Sequence, residues 1–355
     1  MNMLGMTQEN SAQAIIDLLK LDAERVPQPA KSIIYTLIAD MYKSHYQNNR
    51  WQISERTRIS VVGDDINTWD ISRLFEEAVK YYNLSIADEK SLQQTQLSDY
   101  NELIIYSEKR DEKAPVLLPT LYDFLVFKMI NAYKSELNVV IPQQTFVLNN
   151  PKFFAETRTF VDLKIESPDT LSVEYQVITL YQKLIKFRLQ QLAIHSSSVD
   201  NQYALVNLDI ERLKYLHENG RYSNADKLYE DALKSLIDSN YNSSVWDYPA
   251  YALANLYKKQ GANKNEEHRN KLKEAYNLYG QIISKNKTNE IVKLALEMQE
   301  QIKNPSLQLA LSNQQIPLTP ILALVDYKNI TKAYLHIYKV NDEDALTFNS
   351  KYYLF

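Results

Sequence analysis

The sequence predicts a mainly α-helical fold, built from stacked helical hairpins and followed by a short all-β segment toward the C-terminal end. Three observations lead there. The 355 residues include five glycines, where average usage would give about 25, so tight turns are few and helix dominates. Apolar residues recur with a helical period through most of residues 1–303. At Asn304–Pro305 that period gives way to the alternation that half-buried strands need.

The stretch Leu213–Leu233, LKYLHENGRYSNADKLYEDAL, shows the helical part most clearly. It reads as a helix, a glycine stop and a second helix folded back on the first. Leu213 and Leu216 share one face of the incoming helix. Gly220 is expected to supply a left-handed residue that ends it, and Ser223 with Asp226 a capping box that opens the next. Ala225, Tyr229 and Ala232 then stand one above another on a single face. This small, large, small stripe behind a glycine is similar to the second helix of a tetratricopeptide repeat. Such a hairpin cannot bury its apolar face alone, so neighbouring hairpins are expected on both sides. A helical pair in another kind of bundle is the alternative. In the repeat, a larger side chain at Ala225 or Ala232 would not fit, and Ala225→Leu would overpack by about 1–3 kcal/mol.

Taken in order, residues 8–20 form a short helix with Ala12, Ile15, Ile16 and Leu19 on one face, ended by Val26–Pro29. Ala30–Tyr46 follows as a strong helix. Its Tyr35, Ile38, Ala39 and Tyr42 have the spacing of a repeat's first helix, which makes the opening helix the second half of a hairpin without its partner. Arg50–Asp65 reads as a connecting loop that lays Trp51 on the helices and leaves Arg50, Arg56 and Arg58 solvated. Helix resumes at Thr68, where Ile71, Leu74, Phe75, Ala78, Val79 and Tyr82 make the cleanest amphipathic face in the chain. A polar stretch at 85–99, Tyr100–Ser107 and a charged loop at 109–113 lead to a helix opening at Pro119. There Leu121, Phe124, Leu125, Lys128 and Met129 supply a broad face. Residues 137–168 carry three prolines and read as a long loop with one or two short turns or strands, a candidate sub-boundary. Leu171–Ile194 is the longest predicted helix.

Residues 199–303 return to the hairpin pattern. Tyr203–His217 pairs with Ser223–Ile237, and Pro249–Gln260 with Glu266–Ser284. In the second hairpin Leu253, Ala254 and Tyr257 take first-helix positions, Gly261 the turn, and Ala275, Tyr279 and Ile282 second-helix positions. The repeat positions are therefore Leu216, Gly220, Ala225, Tyr229, Ala232, Ala254, Tyr257, Gly261, Ala275 and Tyr279. Glu290–Lys303 closes the stack. Beyond it, residues 306–312, 321–327 and 330–340 alternate apolar and polar, and 351–355 resembles the opening of another strand. This divides the chain into a helical domain, 1–303, and a β domain beginning at 304 and running to 355. Strands with an uncovered apolar face are avoided at protein surfaces, so a longer protein continuing past Phe355 is expected.

Composition excludes several function classes. A net charge of −4, with both signs interspersed, implies no nucleic-acid partner. Without cysteine there is no disulfide, thiol nucleophile or thiolate metal site. The isolated glycines form no phosphate-cradling loop, and no GxSxG elbow occurs. His45, His195, His217, His268 and His336 show neither HExxH nor HxH spacing. Glu76–Glu77 and Glu266–Glu267 fall on exposed helix faces. No catalytic residue and no cofactor is expected. The 26 tyrosines read as groove-filling packing residues. The N-terminus lacks the basic region and apolar run of a signal peptide, and no stretch reaches the length needed to span a bilayer.

RWQISERTRI at 50–59, INTWDISRLFEEAVKYYNLSI at 66–86, PTLYDFLVFKMINAY at 119–133, LDIERLKYLHENGRY at 208–222 and PSLQLAL with LALVDYKNITKAYLHIYKV at 305–340 carry a resemblance over nearly the whole chain. In this order they resemble the N-terminal region of the large alpha-2-macroglobulin-family proteins of Bacteroidota. The resemblance implies a helical region leading into a series of macroglobulin, immunoglobulin-like β-sandwich domains, of which residues 304–355 would be an incomplete first one. It implies entrapment of proteases at the cell envelope, in the periplasm or at the outer membrane, by cleavage of a bait segment and in many members a Cys–Gln thioester. With no cysteine there is no thioester here, and no bait segment or family functional residue can be placed. The expectation is a non-catalytic scaffold piece of an endopeptidase inhibitor. The alternative is a free-standing helical-repeat adaptor that binds peptides on a tyrosine-rich concave face, cytoplasmic if the sequence is complete.

Overall fold

The structure is a computed structural model describing residues 11–54, 63–103, 114–135, 146–169, 172–195, 198–263, 266–285, 290–311 and 319–336. It is mainly α-helical with a short antiparallel β segment near the C-terminal end. The chain forms two compact units, Met1–Leu278 and Tyr279–Phe355. That border lies inside a helix, whereas the sequence reading placed it at 303.

In the first unit α1 (Ser11–Arg25) and α2 (Ala30–Asn48) pack together, burying Ile15, Ile16 and Leu19 against Ile38, Ala39 and Tyr42. Arg50–Ser54 is a short helix, α3, rather than loop, and Trp51 keeps 87% of its surface exposed. Residues 55–62, with Arg56 and Arg58, lie outside the described residues. Helix α4 (Ile71–Ser85) opens after Asp70, whose side chain accepts from Arg73 N at 2.8 Å. That cap sets the start three residues later than the periodicity alone suggested. Helix α4 packs along α2, and Tyr42 stacks on Trp69 at 5.7 Å while Tyr46 meets Phe75 edge-on at 5.1 Å. Glu77 is buried rather than exposed, between Arg73 at 3.2 Å and Lys80 at 3.0 Å. The nominally polar 85–99 stretch hides α5 (Glu89–Gln94) and a 3-10 turn, Leu97–Tyr100, anchored by buried Leu92 and Leu97.

After α6 (Ala114–Leu117), helix α7 (Leu121–Ser135) does not open at Pro119. Thr120 donates from N and Oγ1 to Asp123 Oδ2 at 2.9 and 2.6 Å, a reciprocal cap the sequence reading passed over. Behind α8 (Thr157–Val161) come α9 (Val173–Ile194), at 22 residues the longest helix among the described residues, and α10 (Val199–Asn219). Arg188 of α9 donates through Nη2 to Asp123 at 2.6 Å and through Nη1 to Asn201 of α10 at 3.0 Å. Both charges are fully buried. Burial pushes the Asp123 carboxyl up and the Arg188 guanidinium down from their usual ranges, and the ion pair opposes both shifts. One guanidinium thus ties the start of α7, the middle of α9 and the start of α10.

Residues 146–169, the described part of the long loop, contain a 3-10 turn, Pro151–Phe154, and α8, with no strand among them. The loop is wrapped on the core by Arg212 of α10. Its Nε donates to Asp209 at 2.7 Å, while Nη1 and Nη2 donate to the carbonyls of Phe153 and Ala155. Thr157 Oγ1 donates to the other oxygen of Asp209 at 2.5 Å. The remaining helices are α11 (Ala225–Ser239), α12 (Asp247–Ala262) and α13 (Lys271–Lys285), with α10 packed on both α9 and α11, and α11 on α12.

The second unit begins with the end of α13 and continues through α14 (Glu290–Lys303) to β1 (Ser306–Leu311) and β2 (Ala323–Lys328). The last carbonyls of α14 are met from the end of β2. Asn329, in the left-handed region at φ 54°, donates to Ile302 O and Lys303 O at 2.7 and 2.9 Å, and Lys328 donates to Gln301 O at 2.9 Å. Residues 330–336 form no strand; 312, 337–340 and 351–355, where strands were also expected, lie outside the described residues.

Arg188→Met is expected to destabilise the chain by about 3–5 kcal/mol, because it strands Asp123 as an unpaired buried charge. The double variant Asp123→Asn/Arg188→Met should cost less than the sum of the two single changes. Urea unfolding followed by circular dichroism measures both.

Candidate functional site

The repeat positions gather around α10–α13, with roles that differ from the expected ones. Leu216 is fully buried. Gly220 is extended at φ −79°, ψ 156°, not left-handed. Its lack of a side chain still matters, because a Cβ would collide with the Tyr222 ring and approach Leu216 O to 2.5 Å. The Ser223–Asp226 capping box does not form. Asn224 precedes α11 without a side-chain cap, and Asp226 bonds to neighbouring helices instead. It accepts from His217 Nε2 of α10 at 2.6 Å and from Gln260 Nε2 of α12 at 2.9 Å. One carboxylate therefore links three consecutive helices, and His217 stacks on Tyr229 at 4.6 Å. The bonds from His217 and then Gln260 hold the Asp226 carboxyl below its usual range.

Glu230 makes a parallel link, accepting from Lys234 at 2.6 Å and Tyr257 at 3.0 Å, with Lys271 at 3.5 Å. Lys271 Nζ also lies 3.9 Å from the centre of the Tyr257 ring. Gly261 is inside α12 rather than at a turn. A Cβ there would come within 2.6 Å of Leu272 N, so glycine permits the first turn of α13 to cross closely. Tyr229, Ala254, Tyr257, Ala275 and Tyr279 are buried, Ala225 is half-buried, and Ala232 is half-buried at the wall of a cavity rather than at a tight helix contact.

That cavity is the feature the sequence reading missed. It is an open trough of about 560 Å³ along α10, between α9 and α11, closed at one side by residues 151–158. Leu189 and Leu192 of α9, Leu205 of α10, and Leu228 and Leu236 of α11 make its apolar surface. Glu156, Arg158, Asp231, Ser235 and Asn240 stand around it. Its available signal was Leu189 and Leu228, which stay half-buried beside the buried stripes of α9 and α11. Among the described residues no group of three or more histidines, aspartates or glutamates could hold a metal, and no helix is long and apolar enough to cross a membrane. Most tyrosines with shifted ionisation are pushed up by burial, as packing residues are.

Comparison with known proteins returns no matching family model, curated protein or solved structure.

Ala254→Leu should lower stability by about 1–3 kcal/mol through overpacking, whereas Ala232→Leu, growing into the trough, should stay within about 0.5 kcal/mol; thermal melts distinguish the two. Because the folded-state pKa of Asp226 lies below its unfolded value of about 3.9, its stabilising contribution is present above that value and lost as pH falls through the folded one. Urea midpoints measured down this acid range should fall less steeply for Asp226→Asn than for the native chain.

Proposed function

We propose that this chain is a non-catalytic scaffold of an alpha-2-macroglobulin-like envelope protein, whose full-length form entraps or inhibits endopeptidases in the periplasm or at the outer membrane. The resemblance in segment order supplies the family. The physical support is one observation in the second unit. In the β1–β2 register Leu307 faces Tyr327, Leu309 faces Val325 and Leu311 faces Ala323. Directly opposed residues share a face, so these six form one apolar surface, while the other carries Ser306, Gln308, Asp326 and Lys328 together with Ala310 and Leu324. The five larger apolar side chains keep 46–66% of their surface exposed. A two-stranded hairpin is marginal by itself, and such a face is what a second β layer covers in a sandwich. A helical stack that leads into an uncovered sheet suits a structural segment of a multidomain protein.

A free-standing helical-repeat adaptor is the second reading, favoured by the trough in the first unit.

The gene separates the two. A reading frame running on into further β-sandwich domains is expected, and a stop directly after Phe355 with no such frame nearby would overturn the scaffold reading. On the isolated chain, Leu309→Lys/Val325→Lys should reduce dye binding to exposed apolar surface and any self-association, while Gln308→Lys should change neither. Fluorescence with an apolar dye and light scattering read these out.

A further inference from the structure

Only one asparagine in the sequence is followed by glycine, Asn219 before Gly220, and the pair sits at the joint between α10 and α11. Such a pair is chemically labile, because glycine has no side chain to obstruct its own nitrogen as that nitrogen closes on the asparagine carboxamide. A Gly220 N–Asn219 Cγ bond forms, the Cγ–Nδ2 bond breaks, and ammonia leaves with the proton that Gly220 N gives up through solvent. Water then opens the cyclic imide at either carbonyl. One opening gives an ordinary aspartyl residue, the other an isomer whose main chain runs through the side-chain carbon. No oxidant, metal or enzyme is required.

The fold cannot dispense with that glycine. A Cβ at position 220 would approach Leu216 O to 2.5 Å and run into the ring of Tyr222, which packs edge-on against Phe154 at 5.1 Å. Arg221 N anchors the same turn from the other side by donating to Leu148 O at 2.8 Å. Asn219 itself is exposed. In the closed turn, however, both reacting groups are held. Gly220 N–H donates to Leu216 O at 2.9 Å, which keeps its proton from hydroxide. Asn219 Nδ2 donates to Tyr215 O at 3.0 Å, which draws the carboxamide back along α10 and away from the nitrogen that would attack it.

We infer that Asn219 is a deamidation site gated by local opening of the α10–α11 turn. The reaction waits on fraying of the last turn of α10, since helix ends open more readily than helix middles. Its product makes that opening permanent. A carboxylate is placed beside Glu218 at the negative end of the helix dipole. The isomer also lengthens the main chain just before the Arg221–Leu148 anchor, in the turn that holds the same loop as Arg212 does.

The test keeps the full chain at mildly alkaline pH and follows conversion of Asn219 by mass spectrometry of the tryptic peptide Tyr215–Arg221. The folded chain should convert at this residue, about tenfold or more slowly than the urea-unfolded chain. Below the unfolding transition its rate should be nearly flat in urea, as a local opening exposes little surface. Tyr222→Ala, which loosens the turn, should raise both the rate and the hydrogen exchange of the same peptide, whereas Tyr222→Phe should change neither. No conversion in the folded chain, or equal rates folded and unfolded, overturns the assignment. So does a urea dependence as steep as that of global unfolding, which decides the matter even if Tyr222→Ala fails to fold. A folded Tyr222→Ala chain with an unchanged rate also overturns it.

Discussion

A guanidinium taken out of water has five N–H donors to place, and a fold that buries one must bring acceptors to it from several directions. Arg212 draws them from its own helix at Asp209 and from two carbonyls of the 151–157 loop, and it lies 4.1 Å from the centre of the Phe160 ring. Arg188 draws them from Thr120, Asp123 and Asn201, over the face of Phe187 at 4.3 Å. The middle of the first unit closes around these two groups. Their contribution to net stability is small compared with the cost of disturbing them, because the desolvation of the charges is already large. What they give is position: the loop cannot shift along α10, nor α7 along α9, without leaving a buried charge unpaired.

The same logic continues through α10–α13 in a more exposed form. Asp226 joins three successive helices and Glu230 joins the next overlapping set. Both carboxylates belong to α11, so that helix is held on both flanks by polar contacts while Tyr229, Leu233 and Leu236 supply its buried face. Half-exposed ion pairs of this kind contribute little each. Their use is to cross-link successive helices at chosen positions.

Among the described residues, two surfaces without an evident internal role stand out, one in each unit. The trough is open and partly polar, and Arg212 holds the 153–155 part of its wall in place. The face of β1–β2 is apolar apart from the Tyr327 hydroxyl, which suits cover by another layer.

The mainly helical class, the order of the helices and the change to strands after Asn304 were legible because they depend on periodicity, which lies along the chain. Helix α14, Glu290–Lys303, was placed to the residue for that reason. Contacts between distant residues were not legible. Nothing near Asp123 announces Arg188, sixty-five positions on, and Asp226 reads locally as a capping residue although its partners come from two other helices. Gly220 and Gly261 looked like turn residues, but in both cases it is the close approach of a neighbouring group, not a left-handed backbone, that excludes a side chain. Local pattern determined which segments are helix and strand, since each answers mainly to its own hydrogen bonding and amphipathicity. Which charges are buried, which alanines are tight and where a trough is left open were decided only by the tertiary structure, because those properties belong to pairs and triples of helices and to no single stretch of sequence.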